Sequence, residues 1–305
     1  MKPDFIGPEA EAHLDWVQLT EALEAGHRLP RAEVADTFLY RGADTLLTRS
    51  AWISGLGIAV KAAAIVPGNA AQGLGTVQGA VNLLSDQTGE LEAVVDFALV
   101  TKWKTAGDSL LAARRLARPD AREILICGAG KVAASMVAAY RAGFPGARIT
   151  IWNRTAATAE ALAAETGTRA EADLQTALGR AEIVATTTMA TQPWLRGDWI
   201  QPGTHLDLIG AYRPDMREVD DTALTRARIF CDARATTVHH IGEFRDPIAR
   251  GVMAEADIVA DFYDIAAGRF MRQSHDEITI CKNGGGAHLD LITAQYILQM
   301  WRAAR

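Results

Sequence analysis

The run Ile124-Leu125-Ile126-Cys127-Gly128-Ala129-Gly130-Lys131-Val132-Ala133 constrains the fold of this chain more than any other. An apolar run passes into a G-x-G-x-x-A turn, and an alanine-rich stretch to Ala142 follows. Strand, glycine turn and helix in that order open a dinucleotide-binding βαβ unit. Gly128 permits the tight turn, Gly130 lets backbone approach a pyrophosphate, and Ala133 keeps the helix close to the sheet. The helix start offers free amides and about half a positive charge. Gly128, Ala129, Gly130, Lys131 and Val132 are therefore the expected phosphate cradle.

The residues around this turn alternate strand with helix: Glu123 to Cys127, Val132 to Ala142, Arg148 to Trp152, Thr155 to Glu165, Asp173 to Leu178, and Ile183 to Thr187. Further strands are expected at His205 to Ile209 and Arg228 to Cys231, with helices around Asp221 to Arg226 and Ala254 to Ala267. The alternation predicts a parallel sheet covered by helices on both faces, a Rossmann-type doubly wound domain over residues 119–274. At the end of its second strand a domain selective for NAD carries an acid that accepts from the ribose hydroxyls. Asn153-Arg154-Thr155 stands there instead. An acid would repel a 2′-phosphate, whereas Asn153 and Thr155 can donate to one and Arg154 can pair with its charge. NADP(H) is the expected cofactor in preference to NAD(H), which stays open. Taken alone, Arg154 reads equally as a solvated surface arginine.

Residues 1–118 have a different rhythm. A helix is expected from His13 to His27, then short β-forming runs at Thr37 to Tyr40, Thr45 to Ile53, Leu56 to Val66, Val77 to Leu84 and Leu91 to Phe97. Links such as Arg41-Gly42-Ala43-Asp44 have turn chemistry, and strands on such short links favour an antiparallel sheet. Thr101 to Ala117 reads as a helix closed by Arg118-Pro119-Asp120, the expected domain boundary. A strand at Glu277 to Ile280 and a helix at Ala287 to Ala304, joined across Asn283-Gly284-Gly285-Gly286, are expected to return to this α+β domain, so that residues 275–305 complete it.

These motifs together resemble the ornithine cyclodeaminase/mu-crystallin family along nearly the whole chain. The resemblance rests on Gly57-Ile58-Ala59-Val60-Lys61, Lys104-Thr105-Ala106-Gly107-Asp108-Ser109, the glycine turn, Trp152-Asn153-Arg154-Thr155, and His205-Leu206-Asp207-Leu208-Ile209-Gly210 through Arg213-Pro214-Asp215-Met216-Arg217-Glu218. It implies a first domain that holds substrate and forms a homodimer, beside the Rossmann domain. It also implies that Lys61 is the active-site lysine, and that Lys104 occupies the place of an arginine that binds the substrate carboxylate. Lysine offers a point charge where arginine offers a planar fork, so Arg49 is the candidate to supply the fork; a sheet-face arginine paired with an acid is its equal alternative. Cyclodeaminases of this kind carry an aspartate two residues beyond the glycine, where this chain has Tyr212, and a phenol of pKa near 10 is no carboxylate base at neutral pH. The Arg213-Pro214-Asp215 run looks instead like the ketimine-reducing, mu-crystallin branch. Thr187, Gly210 and Lys282 complete the expected cofactor contacts, and the glycine loop after Lys282 reads either as a place of close ligand approach or as a plain flexible turn.

The expected function is NADPH-dependent reduction of a cyclic ketimine carboxylate, Δ1-pyrroline-2-carboxylate or Δ1-piperideine-2-carboxylate, to the cyclic amino acid. Lys61, Lys104 and Arg49 would bind the carboxylate, and Lys61 or Tyr212 would supply the proton. The alternatives are an ornithine cyclodeaminase with bound NAD and a non-catalytic binding protein like mu-crystallin. A net charge of −6 over 305 residues leaves no basic footprint for nucleic acid. No apolar run is long enough to span a membrane, and the expected location is the cytoplasm. Cys127, Cys231 and Cys281 read as small buried hydrophobes. His239-His240 with Glu243 reads as a surface or helix-start pair, so no metal is expected.

Overall fold

Alternation of apolar and polar residues turns one side of the central early strands toward a core. In the computed structural model, which describes residues 2–305, the strands β1 (Asp4–Ile6), β2 (Glu33–Arg41), β3 (Asp44–Ile53), β4 (Gly57–Ile65), β5 (Val77–Leu84) and β6 (Leu91–Asp96) form one sheet in the order β1-β6-β5-β4-β3-β2. β2 to β6 are the expected antiparallel meander. β1, too short to show a period, joins β6 in parallel. Ala59 and Ala63 of β4, Val81 and Leu83 of β5, and Ala93 and Val95 of β6 are buried, as are Leu19 and Leu23 of helix α1 (Trp16–His27) and Leu289 and Ile292 of helix α9 (Ala287–Ala303). Each larger side chain removed from water contributes about 1.5–3 kcal/mol. α1 starts three residues later than its apolar pattern implies, because the Asp15 carboxylate accepts from the Gln18 amide at 2.8 Å and caps the helix there.

One row across this sheet carries the polar residues that matter below. Asp36, Arg49, Lys61 and Val81 are successive partners in register on β2, β3, β4 and β5, so their side chains share a face.

The second sheet is parallel throughout, with β7 (Glu123–Cys127), β8 (Arg148–Trp152), β9 (Arg169–Ala170), β10 (Ile183–Thr186), β11 (His205–Leu208), β12 (Ala227–Cys231), β13 (Ile258–Ala260) and β14 (Ile278–Lys282) in the order β13-β12-β14-β11-β10-β7-β8-β9. Helix α2 (Phe97–Leu116) leads to it, and α3 (Lys131–Gly143), α4 (Ala156–Thr166), α5 (Leu174–Leu178), α6 (Asp221–Arg226), α7 (Arg234–Thr237) and α8 (Gly242–Ala249) lie between its strands in sequence. This is the expected α/β Rossmann-type domain. The chain runs outward from β7 through β8 to β9, then returns to place β10 on the other side of β7. That reversal makes the carboxyl ends of β7 and β10 a topological switch point, where such sheets bind ligands.

Three expectations are corrected. The chain divides into one unit of Met1–Lys104 with Gly286–Arg305 and another of Thr105–Gly285, so the division falls inside α2 and not at Arg118-Pro119. Beyond Lys104 this helix packs on the parallel-sheet unit: Ser109 Oγ lies 2.9 Å from Tyr140 OH, and the Leu116 carbonyl accepts from Arg272 Nε at 2.7 Å. Proline marked the end of a helix, not the edge of a core. Strand β14, expected in the first domain, lies between β11 and β12 with all five residues buried; only the segment from Gly286 returns. Residues 254–267 hold β13 between single 3-10 turns at Glu255–Asp257 and Phe262–Asp264, where a helix was expected. Ile258 and Ala260 are buried, and Asp261 caps Tyr263 at 3.1 Å; a short apolar run does not distinguish the two periods.

Candidate functional site

Cys127 ends β7 and hands the chain to Gly128 at φ +127°, a conformation L side chains rarely adopt. The Gly128 amide donates to the Trp152 carbonyl at 2.8 Å, and a Cβ on Gly128 would overlap Thr187 Oγ1. Thr187 is held by its amide and its hydroxyl, both donating to the Cys127 carbonyl, at 2.8 and 3.1 Å. Two strand ends thus touch through a position that only glycine fills. A Cβ on Gly130, by contrast, would meet open space. α3 begins there with no side-chain cap, and Lys131 and Val132 are exposed. An uncapped helix start at the switch point, with room at its second glycine, fits a dinucleotide pyrophosphate.

At the end of β8, Asn153 Nδ2 donates to Thr158 Oγ1 at 2.6 Å and to the Thr155 carbonyl at 3.1 Å, so its amide shapes the turn into α4. Arg154 is exposed and makes no hydrogen bond or ion pair among the described residues. No acid stands at 153–155.

The loops after β10 and β11 converge on one fully buried carboxylate, Glu218. Its Oε1 accepts from Thr188 N at 2.9 Å and Thr188 Oγ1 at 2.5 Å; its Oε2 accepts from Thr186 Oγ1 at 2.6 Å, Gly210 N at 2.9 Å and Ala211 N at 3.3 Å. Gly210 lies so close that a Cβ there would overlap both the Thr188 carbonyl and Glu218. Glu243, also fully buried, accepts from the backbone amides of Glu218 and Val219 at 2.9 and 3.1 Å. Burial, with the Glu218 charge added, pushes the Glu243 carboxyl up to about 7. This residue is occupied inside the fold, while its sequence neighbour His239 is exposed and faces Glu255 at 3.2 Å.

Lys282, expected at the cofactor, is fully buried, and its Nζ donates to the carbonyls of Leu208 at 2.5 Å and Asn283 at 2.9 Å. Burial lowers its pKa, against the pull of Glu243 and Glu218. The glycine loop beyond it is pinned: Asp232 Oδ2 accepts from Gly284 N at 2.8 Å and Gly285 N at 2.6 Å. Those amides face a protein carboxylate. Tyr212 is 55% exposed, with the Arg213 guanidinium 5.7 Å from its ring centre, and Arg213 is paired to Asp215 at 2.8 Å.

The other unit gathers the cations. Lys61 is buried, and its Nζ lies 2.9 Å from Asp290 Oδ1, 3.0 Å from Thr101 Oγ1 and 4.7 Å from the centre of the Phe97 ring. Burial pulls its pKa below that of an ordinary lysine, the charges of Lys104 and Arg49 add to the fall, and Asp290 opposes it. Arg49, directly across the sheet, spends its fork on Asp36, with contacts at 2.7–3.1 Å. Lys104 makes no hydrogen bond or ion pair among the described residues. Two like charges in direct register are unfavourable. Asp36 and Asp290 flank them and offset that cost, which leaves Lys104 as the unmatched cation. The contacts made by Asp290, Thr101, Glu218 and Asp232 were not legible in the sequence: Asp290 lies 229 positions from Lys61, and no local period links the two.

Residues 53–305 match the ornithine cyclodeaminase/mu-crystallin family. The chain is 48% identical over 306 residues to a Delta(1)-pyrroline-2-carboxylate reductase of Paracoccus denitrificans, covering 98% of this chain and 97% of that protein. It is 31% identical over 231 residues to the ketimine reductase mu-crystallin of Mus musculus, covering 75% and 71%. Among solved structures, Thermococcus litoralis Delta(1)-pyrroline-2-carboxylate reductase in complex with NADH and L-proline shares the fold, at a TM-score of 0.86 and 23% identity over 98% of each chain. A family match over most of the sequence, and near-half identity to a reductase along its length, make this chain an oxidoreductase that belongs to the ornithine cyclodeaminase/mu-crystallin family.

Proposed function

We propose that the chain reduces a cyclic ketimine carboxylate, Δ1-pyrroline-2-carboxylate or its six-membered homologue, to the cyclic amino acid, with NADPH as reductant. The observation that carries this reading is the cluster of Lys61, Arg49 and Lys104, in which Asp290 pairs with Lys61, Asp36 pairs with Arg49, and Lys104 has no ion pair among the described residues. A surplus cation in a part-buried place favours an anionic substrate, and each charge-assisted contact to a carboxylate contributes about 1.5–3 kcal/mol. Lys104 and Lys61 hold the carboxylate as point charges. A nicotinamide bound at the Gly128–Gly130 turn would supply hydride to the C=N carbon. Lys61 gives a proton to the imine nitrogen, so that the double bond becomes HC–NH, and the neutral amine left behind regains a proton from solvent. Burial lowers the Lys61 pKa below that of an ordinary lysine, which makes its ammonium a readier proton donor. Tyr212, exposed and stacked with Arg213, is the second candidate donor.

The choice of NADPH rests on Arg154, exposed without a partner among the described residues, and on the missing acid at the end of β8. Initial rates with Δ1-pyrroline-2-carboxylate should be higher with NADPH than with NADH. Arg154→Ala should raise the KM for NADPH by roughly tenfold, the loss of about 1.4 kcal/mol, and leave that for NADH unchanged. Equal use of the two cofactors by the unaltered chain would end the preference. Ammonia and proline formed from ornithine with NAD, without imine reduction, would replace the reductase reading by the cyclodeaminase one.

We also propose a homodimer. Phe38, Leu39 and Tyr40 on edge strand β2 are 49%, 67% and 73% exposed, and an apolar edge strand invites pairing. Light scattering behind a sizing column should give twice the chain mass; a monomer at micromolar concentration would remove the proposal.

A further inference from the structure

We propose that Asp290 is the positioning residue of the proton transfer: from the first turn of α9 it holds the Lys61 ammonium charged and fixed in direction. The inference rests on the reading of Lys61 given above. Three contacts define where the amine points, namely Asp290 Oδ1 at 2.9 Å, Thr101 Oγ1 at 3.0 Å and the Phe97 ring at 4.7 Å. Of these only Asp290 carries charge. It is 1% exposed, and its second oxygen, Oδ2, is buried without a hydrogen-bond partner among the described residues, so Lys61 is the cation its hydrogen bonding serves.

Among the charged groups that act on Lys61, Asp290 favours its charged form and Lys104 and Arg49 oppose it. On β3, Arg49 lies directly across the sheet, already paired with Asp36 of β2. On α2, Lys104 repels the amine while Thr101 and Phe97 are neutral. On α9, His288 lies two residues before Asp290 and edges against His27 of α1, both buried. Burial keeps the His288 ring neutral, and the His27, Lys104 and Arg49 charges act in the same direction. Without the Asp290 charge, no anion among the groups that act on Lys61 would offset desolvation and two neighbouring cations, and its proton would leave at lower pH.

The decisive variant is Asp290→Asn, which keeps the volume and an oxygen that accepts from Lys61 but removes the charge. In the full chain with dinucleotide and imine, kcat at neutral pH should fall on the order of a hundredfold, with the KM for dinucleotide unchanged. The alkaline limb of kcat/KM should move at least one pH unit lower. Asp290→Glu should return much of the rate and the limb. In the protein without cofactor, reductive methylation with carbon-13 formaldehyde would let the Lys61 resonance be followed against pH, and its midpoint should fall by the same amount in Asp290→Asn. A wild-type limb and midpoint in that variant, in a protein where Lys61→Ala is inactive, would overturn the role of Asp290 alone. Full activity of Lys61→Ala would overturn the reading of Lys61 itself.

Discussion

Lys61→Ala is expected to lower kcat for imine reduction by roughly a thousandfold, within the range that a positioned acid supplies. The KM for the carboxylate substrate should rise as well, by about tenfold to a hundredfold, since one charge-assisted contact of about 1.5–3 kcal/mol is lost. The substitution also strips Asp290 of its partner. A buried carboxylate left uncompensated costs about 3–5 kcal/mol, so the variant should melt lower than the unaltered chain. Lys61→Ala with Asp290→Asn removes both charges and should regain most of that stability without regaining activity. Steady-state kinetics and thermal unfolding of the two variants, beside the unaltered chain, separate the two effects. Recovery of turnover in the double variant would mean that Lys61 serves the fold and not the chemistry.

The second large effect is expected at Glu218. Glu218→Ala leaves the amides of Thr188, Gly210 and Ala211 and the hydroxyls of Thr186 and Thr188 without their shared acceptor. Water can enter and satisfy some of them, so a loss of about 3–5 kcal/mol is expected in place of five full bonds. For a unit of this size each kcal/mol is worth about 2–4 °C, which sets the fall in Tm near 10 °C. Because the freed loops lie at the carboxyl ends of β10 and β11, the Kd for dinucleotide should weaken at least roughly tenfold. An unchanged Tm would show that these loops are held by other contacts.

Glu243 adds a pH dependence of defined sign. Its folded pKa, about 7, lies above the unfolded value of 4.5. The folded state therefore binds the extra proton, so this contribution is fully present below pH 4.5 and is lost as pH rises through 7. Between those limits its slope is about 1.4 kcal/mol per pH unit. Glu243→Gln should flatten the stability curve in that window, as denaturant unfolding at several pH values would show.

Residues close in sequence settled the first half of this protein's description. The turn from Cys127 to Ala133, the missing acid at 153–155 and the meander from β2 to β6 are short-range facts, because a glycine turn, a strand end and a hairpin are each decided by neighbours a few residues apart. Arg49 was open between two roles, and the register of β2 with β3 decided where its fork goes: onto Asp36. Lys61 could be singled out as a residue, but the carboxylate that holds it could not. The tertiary structure alone decided that β14 lies between β11 and β12, that α2 changes cores after Lys104, that Asp290 pairs with Lys61, and that Glu218 and Asp232 gather loop amides of the parallel-sheet unit. The reason is physical. Periodicity reports which side of an element is buried, whereas strand order and buried ion pairs depend on which distant surfaces meet, and no local pattern carries that information.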